Sequence, residues 1–469
     1  MAKVLLIRPF FQSPESMPIY PLGLAYLAAV LRKFEHKVVI LDLPLLKIEN
    51  KHIMRLVNKF KPELIGITAL SYYFTEMIEL CKFIKGYSIV IGGLHPSVLP
   101  ELSLNQTNAD YLIMGEGEET LIELIEYLDN GGDITKIKGL AYKQNGEITI
   151  NEQRGLIKNL DEIPFPSWDL LKLELYNPPV IREFNLFFNP DPALPIITSR
   201  GCPYKCTYCA STKFWGPSIR YRTIRNVIEE ILFNIERYKI KTIEIWDDNF
   251  TLNRQRVIDF CKEVIKRNLD ISFYLPNGVR IDSLDRALIR LMKHAGFKGI
   301  VIAPESGSQK ILDNVKKKLD LNIVKDVARV LQEEGILTSA YFILGLPGET
   351  NETAYKTIKF GASLPLNGIS YFIFTPLPGS ELFDLWSKDI NLEKINWKFD
   401  YFVYHNSKEY TMCDLTFSQL KKFQKLGFIS YLLKIKNLRR FLKRLNIHNI
   451  KIFFTTELRN LLFLLKRKN

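Results

Sequence analysis

Long apolar runs are missing from this chain. Nothing in its 469 residues approaches the ~18–20 consecutive apolar residues of a membrane-spanning helix. The opening MAKVLLIRPFFQSPE holds too short an apolar stretch for a secretory signal, so the expected compartment is the cytoplasm. Cysteine is scarce as well. Six residues in a chain this long exclude a disulfide scaffold. With 47% apolar and 25% charged residues, the composition is globular, and collagen-like or wholly disordered readings fall away. At ~100–200 residues per domain the length predicts two to four units.

The charge is unevenly placed. Residues 401–469 hold 15 Lys/Arg against Glu409, Asp414 and Glu457, which accounts for 12 of the net +13. The first 400 residues are therefore close to neutral. That argues against a nucleic-acid groove through the body and makes the basic tail a separate question.

Residues 1–135 alternate apolar strand runs (3–9, 37–43, 64–70, 88–93, 110–115) with helical patterns (21–34, 75–85, 118–128). Such alternation predicts a parallel sheet covered on both faces, with ligand-bearing loops at the strand ends. Residues 136–190 carry turn signals and few periodic segments, and read as a connector. A second α/β run follows over 191–380, with strands at 195–199, 242–246, 271–275, 299–304, 338–345 and 369–374. Six βα units of this length fit a partial or full βα barrel. Residues 381–469 lose the β pattern and read as a helical, basic C-terminal region.

The sharpest signal is Arg200-Gly-Cys202-Pro-Tyr-Lys-Cys206-Thr-Tyr208-Cys209, just after a strand. Three soft thiolates at CxxxCxxC spacing can wrap one metal centre. A structural zinc site or electron-transfer cluster asks for four ligands. Three thiolates on a 4Fe–4S cube leave one iron open, while a zinc loop with a distant fourth ligand is the plainer alternative. Cys81, Cys261 and Cys413 read as packing residues.

This cysteine loop, opening a βα barrel, resembles the radical S-adenosylmethionine enzymes, and the later strand ends agree over roughly residues 190–380. The resemblance makes Cys202, Cys206 and Cys209 the cluster ligands and puts Tyr208 beside the cofactor. It implies that Asp247 and Asp248 receive the amino group of S-adenosylmethionine. In the same way Asn277 and Arg280 would meet its carboxylate, Glu305 its ribose, and Gly345 and Gly348 its adenine side. Tyr341 replaces the first glycine of that adenine-side motif.

The first domain resembles the flavodoxin-like, Rossmann-like cobalamin-binding domain that precedes the barrel in one large class of these enzymes. The matching residues are Pro21-Leu-Gly23, Asp42, Thr68-Ala-Leu70-Ser71, Gly92-Gly93-Leu-His95-Pro96 and Gly115-Glu116-Gly117-Glu118. Small residues after strands let backbone approach a bulky ligand. None of the six histidines has Asp two before it and Gly three after, so the DxHxxG cobalt ligand is missing. His95 is expected as a loop histidine near the ligand, not as a cobalt ligand. A flavodoxin-like domain with another ligand, or none, is the alternative.

The resemblance implies three cofactors: a 4Fe–4S cluster, S-adenosylmethionine and cobalamin. A one-electron donor such as flavodoxin or ferredoxin would start the reaction, and the substrate would be a small or lipid-like molecule. A 5′-deoxyadenosyl radical would take hydrogen from an unactivated carbon, which then receives a methyl group. The cofactors carry those steps, so no protein acid or base is nominated. The same parts serve an oxidative cyclase of the porphyrin-ester type. A reading of another class is an RNA-modifying methylthiolase or nucleic-acid binder. Such methylthiolases carry a second cysteine triad in the N-terminal domain, and here Cys81 is the only cysteine before Cys202.

Residues 416–469 place Phe428, Tyr431, Leu432, Ile435, Leu438, Phe441, Leu442 and Leu445 at helical intervals, with lysines and arginines between them. The stripe either packs on the barrel or lies on an anionic membrane surface.

Overall fold

The computed structural model describes residues 1–11, 19–176, 192–398 and 411–434. Its first sheet has seven strands: β1 (Lys3–Arg8), β2 (Lys37–Asp42), β3 (Leu64–Thr68), β4 (Ser88–Gly92), β5 (Tyr111–Ile113), β6 (Leu140–Gln144) and β7 (Glu147–Ile150), in the order β2-β1-β3-β4-β5-β6-β7. Strands β1 to β5 run parallel, and β6 and β7 add antiparallel at the edge. Val4, Leu5, Leu6 and Ile7 in β1 are all buried, as expected of a central strand covered on both faces. Helix Leu22–Lys33 buries Leu24, Ala28 and Leu31 against the sheet. The stretch expected to be a connector is therefore only partly one. Its Asn145-Gly146 turn, with positive φ at both residues, makes a hairpin that extends the first sheet.

Residues Ser199–Arg200 (β9) and Arg220–Tyr221 (β10) form a short antiparallel ribbon that flanks the cysteine loop. The second sheet is all parallel. Its strands are β8 (Ala193–Ile196), β11 (Thr242–Ile245), β12 (Ser272–Val279), β13 (Phe297–Glu305), β14 (Leu337–Leu344) and β15 (Gly368–Ile373), ordered β15-β14-β13-β12-β11-β8. Six consecutive parallel strands with outer helices make the partial barrel that the sequence predicts. Helices Ile224–Tyr238, Arg254–Lys266, Arg286–His294 and Leu321–Glu333 lie between these strands. Thr223, Asn253, Asp285 and Asp320 accept from backbone N–H groups in their first turns.

The C-terminal region differs from the expectation of one helical unit. Residues 381–398 return to the first domain. Trp397 and Phe383 are buried with Phe74, Met77 and Leu80, and Lys398 pairs with Glu79 at 2.9 Å. Full burial of such side chains contributes about 1.5–3 kcal/mol each, enough to hold a segment with no sheet of its own. Helix Phe417–Leu432 packs on β15, where Gly427 lies against the Tyr371 ring. Of the apolar stripe, Tyr431 is buried and Leu432 half-buried against the barrel, while Phe428 is exposed. The basic stretch beyond Lys434 lies outside the described residues.

A Cβ at Gly427 would stand 2.6 Å from Tyr371 Cε2. Gly427→Val should therefore lose about 1–3 kcal/mol through overpacking. Lys425→Ala, on the exposed side of the same helix, should stay within about 0.5 kcal/mol of the parent in denaturant unfolding.

Candidate functional site between the two sheets

The carboxyl ends of both sheets' strands open into one cavity of about 480 Å³. From the first domain it is lined by Thr68 and Leu70 after β3, Gly92 and Gly93 after β4, and Gly115, Glu116 and Gly117 after β5. From the barrel side come Ile197, Arg200, Phe214, Trp215 and Trp246. Gly93 has φ +99°, and a Cβ there would press on the Ala69 carbonyl at 2.6 Å. This wall is bare backbone by necessity, which suits the flat face of a large ring ligand.

Two expected members stand elsewhere. Ser71 and His95 are not among the lining residues. His95 is fully buried, with Nδ1 3.0 Å from Ser71 Oγ, its ring stacked on Phe74 and met edge-on by Trp397. Burial lowers its pKa to about 3, so it is neutral. The returning 381–398 segment turns this strand-end histidine into a core residue, which corrects its placement beside the ligand. Glu116 lines the cavity, but its carboxylate is committed to Arg200 and Arg220.

The cysteine loop lies between β9 and helix Ser211–Trp215, with the three thiols half-exposed. Burial raises the Cys202 and Cys209 thiols, Cys209 to about 11. Among the described residues no three His, Cys, Asp or Glu side chains converge as they would around a single ion. A cubane cluster asks for something else, one thiolate on each of three irons at separate corners. A compact loop of three thiols fits that demand.

Around the loop, charged side chains divide into used and available. Asp247 is buried and accepts from Thr198 N–H, Thr198 Oγ1 and Ser199 Oγ, each at 2.6 Å. It clamps the strand end with three of its acceptor positions, so an amino group would meet it alongside Thr198 and Ser199. Asp248 is exposed and accepts from Ser211 Oγ at 2.7 Å and from the Gly201 N–H, which leaves acceptor positions for a further donor. Asn277 donates to the Trp246 carbonyl at 2.8 Å.

Arg280, too, has protein partners. Its guanidinium holds Asp282 through two nitrogens and donates to the Lys317 and Lys318 carbonyls at 2.5 and 2.7 Å. Its Cζ lies 3.9 Å from the Tyr204 ring centre, inside the cysteine loop. With four of its five N–H groups used and its cation against the Tyr204 ring, the fork braces the loop.

Glu305 stands beside the cysteine loop. A register shift between Ile302 and Glu305, with φ +67° at Glu305, turns its carboxylate toward the loop. Its Oε1 accepts from Tyr208 OH and from Lys317 Nζ, both at 3.1 Å. Lys317 is nearly buried, and sequence reading gave no signal for it beyond a run of three lysines. Burial, then Glu305 and the neighbouring thiols, keep the Tyr208 phenol protonated.

Gly345 and Gly348 both have positive φ, and Glu349 accepts from the Gly345 N–H. They form a tight turn after β14, closed over by Leu420 from helix Phe417–Leu432.

Comparison with known proteins fits this geometry. Residues 196–361 match the Radical SAM superfamily, and residues 16–125 match the B12 binding domain. An uncharacterized methyltransferase of Pyrococcus horikoshii is 32% identical over 450 residues, covering 92% of this chain and 93% of that protein. The chain belongs to the radical SAM superfamily, in the branch with a B12-binding domain.

Within that branch it is 27% identical to the cytidylyl-2-hydroxyethylphosphonate methyltransferase of Streptomyces wedmorensis, over 81% of this chain and 80% of that protein. It is 28% identical to the anaerobic magnesium-protoporphyrin IX monomethyl ester cyclase of Rubrivivax gelatinosus, over 81% and 69%. In fold it resembles the radical S-adenosylmethionine methyltransferase TsrM of Kitasatospora setae, a structure with cobalamin and a [4Fe-4S] cluster bound. The TM-score is 0.68 at 19% identity, over 82% of this chain and 75% of that one.

Burial raises the Glu349 carboxyl from 4.5 to about 7, against the Gly345 and Leu346 N–H groups, which lower it. A raised acid favours the protonated folded state, so stability falls as pH rises from about 4.5 to about 7. Glu349→Gln, which still accepts from Gly345, should flatten the melting temperature across that window. An unchanged pH profile would contradict the assignment.

Proposed function

We propose that the protein is a cobalamin-dependent radical S-adenosylmethionine methyltransferase acting on an unactivated carbon of a small or lipid-like substrate. The observation that carries this reading is the single cavity walled by the glycine-bearing strand ends of one sheet and by the residues flanking the cysteine loop of the other. Held at the cysteine loop, a cluster with S-adenosylmethionine would supply a 5′-deoxyadenosyl radical, and cobalamin in the adjoining cavity a transferable methyl group.

The chain's own residues have distinct tasks in this reading. Cys202, Cys206 and Cys209 hold the cluster, and Arg280 braces their loop through Tyr204. Lys317, in place of Arg280, meets the carboxylate of S-adenosylmethionine, and Asp248 its amino group. Glu305 accepts from the ribose, and the Gly345–Gly348 turn borders the adenine. Gly92, Gly93, Gly115 and Gly117 admit the corrin, and Leu70 presents hydrocarbon to it, not a nitrogen ligand. Phe214, Trp215 and Trp246 exclude water from the shared space. An acidic one-electron carrier of the flavodoxin or ferredoxin kind supplies the electron. The basic tail, if it meets a membrane, does so peripherally; no helix of the described residues is long and apolar enough to cross one.

The identity with the ester cyclase keeps an oxidative ring closure as the second reading. Mass spectrometry of extracts from cells with and without the gene separates the two. Methylation predicts a product heavier than its precursor by one CH2, and cyclisation predicts one lighter by hydrogen.

Lys317→Met should weaken S-adenosylmethionine binding about ten- to a hundredfold, the worth of one charge-assisted bond, with the cluster spectrum intact. Arg280→Ala should instead lower iron content. The opposite pattern would restore Arg280 as the carboxylate partner.

A further inference from the structure

We propose that Arg200 is a positioning residue that locks the cysteine loop to the cavity wall and so couples the two cofactor sites energetically. This rests on the cofactor reading above and adds a task for residues outside the ligand set.

Arg200 is buried, on the barrel side, and reaches across to the first domain. Its Nη1 donates to Glu116 Oε1 and its Nη2 to Glu118 Oε1, both at 2.6 Å. One nitrogen per carboxylate fixes the plane of the fork. The guanidinium lies 5.7 Å from the Tyr26 ring centre of the first domain and 5.2 Å from the Trp215 ring centre that follows the cysteine loop. Burial disfavours its charge, but Glu118 and Glu116 outweigh burial and hold it protonated. Glu116 is steadied in turn by Arg220, at 2.8 and 3.0 Å, and by the Ile157 N–H.

A buried ion network of this kind contributes little net stability over an apolar replacement. What it supplies is a single relative position for two surfaces. Cys202 follows Arg200 by two residues, at most about 7 Å of chain. The intervening Gly201 has φ +100° and leaves no room for a Cβ beside the Ser218 carbonyl, so only glycine fits that step. Glu116, Glu118, Arg200 and Trp215 all line the cavity. A ligand filling the cavity therefore touches Arg200, two residues from Cys202, and the carboxylates that hold it. Linkage makes any effect of one site on the other reciprocal.

The test titrates S-adenosylmethionine into the reconstituted, reduced full-length protein, followed by the cluster's electron paramagnetic resonance, with and without hydroxocobalamin. In the parent protein the two apparent Kd values should differ by about fivefold or more. Glu118→Gln and Arg200→Gln should bring the ratio to within about twofold of unity while each retains cluster and hydroxocobalamin. Arg200→Lys keeps the charge without the fork and should recover only part of the coupling. Glu119→Gln, which touches Arg154 on the exposed side, should keep the parent ratio. Glu118→Gln leaves Glu116 on both arginines, so it tests the coupling even if Arg200→Gln fails to fold. A parent ratio of one, or a parent-like ratio in Glu118→Gln, overturns the proposal. A parent protein that takes up neither cluster nor hydroxocobalamin overturns the cofactor reading itself, and this proposal with it.

Discussion

Parallel sheets leave a protein little choice about where to bind something large. Their faces are covered by the helices that connect the strands, so only the carboxyl ends are free. Here two such sheets turn their free ends toward one space, and that constraint organises the rest. It explains why the first domain ends its strands in glycines, why the cysteine loop follows the first barrel strand, and why aromatic residues from the barrel side close the gap. Each domain supplies half of a container that neither has alone.

Two halves have to be held in register, and the contacts that do so are polar and buried. The Glu116–Arg200–Glu118 network spans the interface, and the returning Phe383 and Trp397 tie the far end of the chain to the first domain. Around the cysteines the division of labour among cations is equally physical. Arg280 has its nitrogens on Asp282 and two carbonyls, which makes it a brace. Lys317 points a compact ammonium at Glu305 and Tyr208, two partners for its three N–H groups. A planar fork suits fixed scaffolding, and a point charge on a flexible stem suits a ligand that comes and goes.

Much of this was legible in the sequence because it is local. Apolar runs such as Lys3–Arg8 and Leu337–Leu344 announce buried strands by composition, and the three cysteines announce their chemistry by spacing. Glycines at strand ends marked the cavity wall correctly. What was not legible depends on pairing across long stretches of chain. The 140–150 hairpin joins a sheet whose nearest strand is β5, and Trp397 covers His95 from some 300 residues away. Asp247 and Arg280 sit at the expected strand ends, but their partners Thr198, Ser199 and the Lys317 carbonyl are invisible to a motif. Lys317 was missed for the converse reason, since nothing in Lys316-Lys-Lys318 says which of the three is buried.

In the proposed reading cobalt occupies the cavity between the two domains, beside the iron that the cysteine loop holds. Crystals of anaerobically reconstituted protein soaked with hydroxocobalamin, measured at the iron and cobalt absorption edges, test it directly. The account predicts iron density against Cys202, Cys206 and Cys209, and cobalt between the Gly92–Gly93 and Gly115–Gly117 wall and Trp215, with no protein nitrogen on the face toward Leu70. Cobalt bound at His95, or outside the space that Arg200 and Glu116 enclose, would contradict it.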